Sequence, residues 1–275
     1  MRRLISLAFA ATAAFVATAA TAATAADMAP PVLRESIPAV QPVDNGGWYL
    51  RGDVGLGTQT AQRWQYNPNP PGGITQATYQ HSLSSTMFIG AGIGYAFNSW
   101  FRVDASLEYR SGGRFVGRDI LTGPQSYENV LHTNMSSIVA LLNGYIDLGT
   151  WWGITPYIGG GIGYAHNRLA PTFDTGVVVG VGASSGVING GSNGNFAWAL
   201  MAGMAWDVSA NTKVEIGYRY LNLGNFRSGA PCPLCTTAVQ NYEIRQVTSH
   251  DIRLGLRYAF GGSTPVAPAP VVARY

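Results

Sequence analysis

The sequence is poor in charge. Only 11% of its 275 residues are Asp, Glu, Lys or Arg, whereas a soluble domain of this size carries about 25%. Its 17 basic residues include a single lysine, Lys213, and they stand against 14 acidic residues. This near balance gives no indication of nucleic-acid binding, which requires a strong basic patch. The deficit also predicts that much of the surface faces something other than water.

Long apolar runs are scarce too, and the one that exists lies at the N-terminus. Residues 1–25 have the layout of a secretory signal peptide, with Arg2 and Arg3 before an apolar stretch and Ala23-Thr24-Ala25 as the cleavage site. A membrane helix is the alternative, but the second half of the stretch is alanine and threonine rather than leucine. No later run of about 20 apolar residues occurs. We therefore expect an exported chain without a helical anchor, starting with a proline-rich lead-in over residues 26–46.

Cysteine is equally rare, and Cys232 and Cys235 form one C-x-x-C pair. Such spacing occurs in redox pairs and in half metal sites. There is no second pair, and exported chains are oxidised. We interpret the pair as a local disulfide that braces a loop, and we expect no metal, cofactor or catalytic site.

What the sequence does contain is alternation. Over Ser249–Phe260 one set of alternate positions is apolar and the other carries the charges, with Ile252, Leu254, Leu256, Tyr258 and Phe260 against Asp251, Arg253, Gly255, Arg257 and Ala259. A period of two places the two sets on opposite faces of a β-strand. A soluble lipocalin-like barrel would bury the apolar face, whereas a transmembrane barrel would turn it toward lipid.

The same alternation recurs in eight segments, at 48–57, 85–97, 101–110, 136–148, 154–165, 196–208, 213–220 and 249–260. The connections alternate long and short, and the long ones, at 58–84, 111–133, 166–195 and 223–247, are interpreted as polar loops. Aromatic residues gather at both ends of the segments, as in the girdles of membrane barrels. The sequence therefore predicts an all-β fold, an eight-stranded antiparallel up-and-down transmembrane β-barrel over residues 47–260, followed by a proline-rich tail at 261–275. Both termini are expected in the periplasm.

Five short motifs carry a family resemblance. They are Phe88–Tyr95 (FIGAGIGY), Asn143–Asp147 (NGYID), Tyr157–Tyr164 (YIGGGIGY), Gly217–Gly224 (GYRYLNLG) and Leu256–Phe260 (LRYAF). With them the chain resembles the outer-membrane immunogenic protein or small-porin family of Gram-negative bacteria, which is similar to the transmembrane domain of outer membrane protein A. The resemblance implies a structural and surface-antigen role in the cell envelope and insertion by the barrel assembly machinery. Family chains end on the aromatic of the last strand, whereas this chain continues past Phe260.

Alternation also predicts a network of charges in the lumen. Its members are Arg51, Asp53, Arg102, Asp104, Glu108, Arg110, Asp147, Asp207, Lys213, Glu215, Arg219, Asp251, Arg253 and Arg257. Eight strands enclose a space that side chains fill, and arginine pairs with carboxylates through two parallel hydrogen bonds. We expect a bonded plug, and a narrow porin is the alternative. A third hypothesis is an adhesin that binds through its long loops.

Two further predictions concern residues outside the lumen. Arg114 and Arg118, just above the third strand, are candidates for pairing with phosphates of outer-leaflet lipopolysaccharide. Ser249, His250 and Asp251 are adjacent in sequence, so in a strand they point to alternate faces and cannot readily form a catalytic triad. We therefore expect no enzyme activity, and outer-membrane lipid is the expected environment.

Overall fold

The structure, a computed structural model, describes residues 46–71, 73–230 and 241–260, all within the unit Pro42–Tyr275. The predicted signal peptide, almost all of the lead-in, the C-terminal tail and both cysteines lie outside these residues. Within the part of the chain that the structure describes, no helix has the length and apolar character needed to cross a membrane.

In the described residues twelve strands form one sheet. Eight of them are long: β1 (Gly47–Thr60), β4 (Ser85–Ala96), β5 (Phe101–Thr122), β6 (Tyr127–Asp147), β7 (Ile154–Leu169), β10 (Gly191–Asp207), β11 (Thr212–Arg227) and β12 (Asn241–Ala259). Four are short: β2 (Arg63–Asn67), β3 (Gln76–Leu83), β8 (Thr172–Val178) and β9 (Gly182–Ile188). The long strands pair antiparallel in a ring, which closes where β1 pairs with β12 and β5 pairs with β6. The predicted eight-stranded barrel is confirmed.

Three tight turns connect β4 to β5, β6 to β7 and β10 to β11, and they define what we call the turn end of the barrel; the opposite end is the loop end. In the first turn the Asn98 Oδ1 accepts hydrogen bonds from the backbone N–H groups of Trp100, at 3.1 Å, and Phe101, at 2.7 Å. In the second, Trp152 and Gly153 have φ values of 53° and 77°. Asparagine and glycine suit such turns because one supplies a side-chain acceptor and the other tolerates positive φ.

In the half of the barrel near the turn end, apolar side chains face outward and charged ones face inward. On β12 the outward Ile252 and Leu254 are 59% and 53% exposed, whereas the inward Arg253 and Arg257 are 5% and 7% exposed. The outward surface is bounded by Trp100, Trp151 and Trp152 at the turn end and by Tyr109 and Tyr164 toward the loop end, all exposed. This is the inside-out polarity of a barrel surrounded by lipid.

The predicted loops are largely wrong, because the structure continues as sheet beyond the lipid-facing half. β5 extends to Thr122, β6 begins at Tyr127, and β2, β3, β8 and β9 all lie in segments that were interpreted as loops. On β2, β3 and the extensions of β5 and β6 the polarity is reversed, with mostly apolar residues inside and mostly polar residues outside, whereas β8 and β9 also expose Phe173, Val177 and Val187. The physical reason is that this part projects into water, where a sheet buries its apolar face. The alternation persists, but the polar residues and turn signals in these segments hid it.

Candidate functional site: the barrel interior

The interior contains two layers of ion pairs. In the layer nearer the turn end, the Arg51 guanidinium donates to Asp53 Oδ2 through Nε at 2.9 Å and to Asp53 Oδ1 through Nη2 at 2.8 Å. Its Nη1 donates to Asp104 Oδ2 at 2.8 Å and to the Tyr145 hydroxyl at 2.6 Å. Three strands, β1, β5 and β6, are thus tied together by one arginine side chain.

Glu215 collects further arginines in the same layer. Its carboxylate lies 3.0 Å from Arg257 Nε, 3.6 Å from Arg102 Nη2 and 3.9 Å from Arg51 Nη2. Arg102 also pairs with Asp147 at 3.2 Å, and its guanidinium lies 4.1 Å from the centre of the Tyr145 ring. Because Glu215 is 2% exposed, these cations compensate a carboxylate that water does not reach.

The second layer is nearer the loop end. Arg110 Nη1 donates to Glu108 Oε1 and to Asp251 Oδ2, both at 2.8 Å, and its Nη2 donates to Ser249 Oγ, also at 2.8 Å. Arg219 Nη2 donates to Glu108 Oε2 and to Asp251 Oδ2, both at 2.7 Å. Phe88 on β4, the register partner of Arg110, packs against both cations, whose Cζ atoms lie 4.8 Å and 4.9 Å from its ring centre.

Each layer is electrically neutral. The layer nearer the turn end, called the lower layer, combines four arginines with four carboxylates: Arg51, Arg102, Arg253 and Arg257 with Asp53, Asp104, Asp147 and Glu215. The layer nearer the loop end, called the upper layer, combines two arginines with two carboxylates: Arg110 and Arg219 with Glu108 and Asp251. A neutral, internally paired filling offers no excess charge of one sign to attract a counter-ion.

An apolar cluster lies above the second layer. It is centred on Trp64, Phe115, Leu131, Tyr242 and Ile244, all at most 1% exposed. The Trp64 ring makes edge contacts with those of Phe115 and Tyr242 at centroid distances of 5.8 Å and 6.1 Å. The barrel is therefore filled at two levels by different means, with ion pairs where lipid surrounds it and with apolar packing where water surrounds it.

Two carboxyl groups lie beside the apolar cluster, that of Asp119, which is buried, and that of Asp174, which is half-buried. Asp119 accepts hydrogen bonds from the Tyr66 hydroxyl and from Asn129 Nδ2, both at 2.9 Å. Burial raises the pKa of Asp119 to about 6, against the opposing effect of these hydrogen bonds and with a contribution from nearby Asp174. Burial likewise raises the pKa of Asp174 to about 6. Both groups lie beyond the lipid-facing half of the barrel.

The structure places twelve of the fourteen predicted lumen residues in the two layers. Asp207 and Lys213 differ: they pair with each other at 2.6 Å, and their side chains are 39% and 36% exposed. They flank the tight turn between β10 and β11, where the ends of the strands meet solvent. The assignment of these two residues to the lumen network was therefore wrong.

Sequence reasoning missed four aromatic residues that shape the network. Tyr49, Phe88, Tyr145 and Tyr157 all face inward and are at most 4% exposed. The Tyr49 hydroxyl donates to Asp104 Oδ2 at 3.1 Å. Each occupies an alternate position that faces inward on its strand. The signal was available in the sequence, because Tyr49 is two residues from the inward Arg51 and Tyr145 is two residues from the inward Asn143.

The predicted residues outside the lumen have mixed placements. Arg114 and Arg118 both lie on the outward face of β5, and Arg118 is already paired with Glu128. Cys232 and Cys235 lie outside the described residues, so their disulfide stays a prediction.

On β12, the side chain of His250 points away from those of Ser249 and Asp251. Ser249 Oγ donates to Asp251 Oδ1 at 2.5 Å inside the barrel, whereas His250 faces outward and its Nδ1 lies 2.6 Å from the Tyr218 hydroxyl. Among the residues that the structure describes, no group of three or more His, Cys, Asp or Glu side chains is arranged to hold a metal ion. The contiguous Ser-His-Asp run is thus divided between two faces of one strand.

An eight-stranded ring that is apolar outside, ion-paired inside and bordered by aromatic residues defines the class: an integral β-barrel protein of the bacterial outer membrane. The model of the family described as "Outer membrane protein beta-barrel domain" matches residues 8–260. The chain belongs to this family and resides in the outer membrane.

Individual proteins are also similar to this chain. An uncharacterized protein of Brucella abortus is 30% identical over 248 residues, which cover 78% of this chain and 85% of that protein. A protein of Rickettsia typhi that is provisionally named an adhesin is 28% identical, with coverage of 82% and 93%. The crystal structure of the outer membrane protein OprG from Pseudomonas aeruginosa aligns with a TM-score of 0.46 at 14% identity and covers 79% of this chain and 97% of OprG.

Proposed function

We propose that this protein is a closed structural barrel that supports the integrity of the outer membrane and displays a surface sheet, without enzyme activity. The observation that carries this proposal is the filled interior. Two neutral layers of ion pairs occupy the lipid-surrounded half, and an apolar cluster closes the half above it.

A solute that crossed this interior would have to separate buried ion pairs. Breaking such a pair leaves an uncompensated charge away from water, which costs about 3–5 kcal/mol. Arg51, Arg102 and Arg110 are each held by more than one carboxylate. Transport would therefore require several such separations at once, which disfavours the narrow-porin alternative.

Conductance in a planar lipid bilayer tests this proposal. We expect the refolded wild-type protein to give no stable current steps in potassium chloride. The double variant Arg110→Ala/Trp64→Ala weakens both the ion-pair layers and the apolar cluster. It serves as the comparison and should show intermittent current. Large, stable steps from the wild-type protein at the level of this variant would contradict a closed barrel.

The orientation of the chain follows from the position of its ends. Phe260 N–H donates to the Trp48 carbonyl oxygen at 2.8 Å, so the first and last strands end together at the turn end. Short turns face the periplasm in bacterial outer-membrane barrels, which supports periplasmic termini and insertion by the barrel assembly machinery. A protease added to intact cells should cleave in the region of β8 and β9 but spare a tag at residue 275.

An adhesin is the second candidate, and the hairpin of β8 and β9 favours it. Phe173 is 62% exposed, and Val179 and Val181 at the hairpin tip are 68% and 74% exposed. These apolar side chains project beyond the membrane, where contacts with another surface would bury them. Replacing residues 173–187 with a short Gly-Ser linker should abolish attachment to host cells if this role is correct. Unchanged attachment would remove it.

A further inference from the structure

Two arginines on the outward surface stand at the same level above the lipid. On β6, the partner of Arg114 (Asn134) lies four residues from the partner of Tyr109 (Ile138). On β5 the same interval contains one extra residue, at the register shift that follows Arg110. Arg168 on β7 lies four positions beyond Tyr164. At about 3.3 Å per residue and a strand tilt near 45°, both stand roughly 9 Å above the exposed tyrosines.

Only one strand separates the two arginines. Arg114 is the register partner of Asn134 on β6, and Arg168 is the partner of Ser136 on the same strand. Two spacings of about 4.8 Å across the strands and two residues of about 3.3 Å along β6 put the two Cα atoms about 12 Å from each other. Arg114, Asn134 and Arg168 are exposed, and Ser136 is partly exposed. His166, also exposed, lies between Tyr164 and Arg168 on β7.

This surface carries positive charge that the described residues do not neutralise. Of the other outward arginines beyond the tyrosines, Arg118 pairs with Glu128, and Arg227 and Arg245 share Glu243. Arg63 is exposed too, but its strand β2 pairs with β12 rather than with β5, β6 or β7. Within residues 46–71, 73–230 and 241–260, no carboxylate lies within 4.0 Å of a guanidinium nitrogen of Arg114 or Arg168. Asp119 on the neighbouring stretch of β5 points inward and is fully buried.

The position of the two arginines identifies the anion. The lipid-facing surface ends at Tyr109 and Tyr164, so the next level is that of the headgroups in the outer leaflet. A guanidinium binds a phosphate group through two parallel hydrogen bonds. Ser136 and Asn134 add neutral donors between the cations. We propose that Arg114 and Arg168 form a two-armed clamp for the phosphate groups of one lipopolysaccharide molecule held against β5, β6 and β7.

This clamp deepens the proposed envelope role, because it ties the barrel to the lipid that surrounds it. It also revises the pair of residues expected from the sequence. Arg118 is a neighbour of Arg114 in sequence but has its own carboxylate partner, whereas Arg168 is 54 positions away and is brought to the same level by the sheet.

Binding of purified lipopolysaccharide to the refolded full chain in detergent micelles tests the clamp. The double variant Arg114→Gln/Arg168→Gln should bind at least about tenfold more weakly, since each lost contact is a hydrogen bond between charged groups. The matched control Arg118→Gln/Arg227→Gln removes the same charge from arginines that already have partners, and should bind as the wild type does. Lipopolysaccharide stripped of its phosphates should bind the wild type as weakly as the intact lipid binds the double variant.

Three outcomes would overturn the clamp. Equal losses in the double variant and its control would mean that only overall charge matters. Undiminished binding of the phosphate-free lipid would show that phosphate is not recognised. Complete competition by millimolar inorganic phosphate would assign the arginines to a free anion rather than a lipid. Unchanged gel mobility shifts on heating check that each variant is folded, and none of these outcomes alters the conductance expected of a closed barrel.

Discussion

Arg110 and Asp251 form an ion pair with two parallel hydrogen bonds across the barrel interior. Arg110 Nη1 lies 2.8 Å from Asp251 Oδ2, and Nη2 lies 2.7 Å from Oδ1. The first residue is on β5 and the second on β12, two strands that are not neighbours in the ring. Both side chains are at most 1% exposed. The pair therefore braces the barrel from within, independently of its backbone ladder.

Removing this brace should be costly. Asp251→Ala leaves Arg110 and Arg219 short of a buried partner, so we expect the free energy of unfolding to fall by about 3–5 kcal/mol. Urea unfolding of the refolded protein in micelles measures it. Asp207→Ala, which breaks the exposed pair with Lys213, is the matched control and should cost less than about 1 kcal/mol. Equal losses in the two variants would mean that burial of the network does not matter.

The inward face has no spare room at Gly94. A methyl group there would meet the Tyr49 ring and would lie 2.7 Å from Asp104 Cβ. Gly94→Ala should therefore lower the free energy of unfolding by about 1–3 kcal/mol through overpacking. At Gly52, on the lipid face, a methyl group meets nothing within 4 Å. Gly52→Ala should be tolerated in the same urea titration, and a loss as large as that at Gly94 would refute a tightly filled lumen.

The apolar cluster should stabilise the projecting sheet separately from the membrane half. Trp64→Ala removes a 1% exposed ring that contacts Tyr66, Tyr79, Phe115 and Tyr242, at a cost of about 3–5 kcal/mol. We expect rapid proteolysis within residues 58–84 while the remaining barrel keeps its resistance to heat. Phe173→Ala, which trims an exposed ring, should leave proteolysis unchanged. Loss of heat resistance in Trp64→Ala would show that the two halves are not separable.

The projecting sheet should be more stable in mild acid. Asp119 and Asp174 have pKa values near 6 in the folded protein, against an ordinary value of 3.8. Between these values the folded state holds more protons than the unfolded state, so stability falls as the pH rises through this window and the loss is complete above about pH 6.

Protease resistance of this region at about pH 5 and about pH 7.5 measures the effect. Asp119→Asn keeps the shape of the side chain but cannot ionise, so its resistance should depend less on pH. The groups that face Asp119 are Tyr66, Asn129 and Asp174, and the two hydrogen-bond donors remain in place. A pH dependence identical to that of the wild type would assign the effect to another group.

The alternation of residues was sufficient to predict the ring and most of its interior. The alternate positions of Leu254 and Arg253 are enough to predict which face each occupies, because a strand that borders lipid must separate apolar from charged side chains. Lys213 and Asp207 have the correct parity but the wrong environment, since a strand end at a turn is open to water. The alternation predicts whether a side chain points inward or outward, but it does not predict how far along the barrel axis the residue lies.

By itself the sequence determined the strand period, the inside-out polarity of the membrane half and the sign of every charge. Only the tertiary structure decided which arginine meets which carboxylate, because Arg110 and Asp251 are 141 positions apart and the closure of the ring sets their distance. It also decided that the supposed loops continue as sheet. Around Trp64, Phe115 and Leu131 their apolar residues turn inward once water replaces lipid outside, and that reversal depends on where the membrane ends.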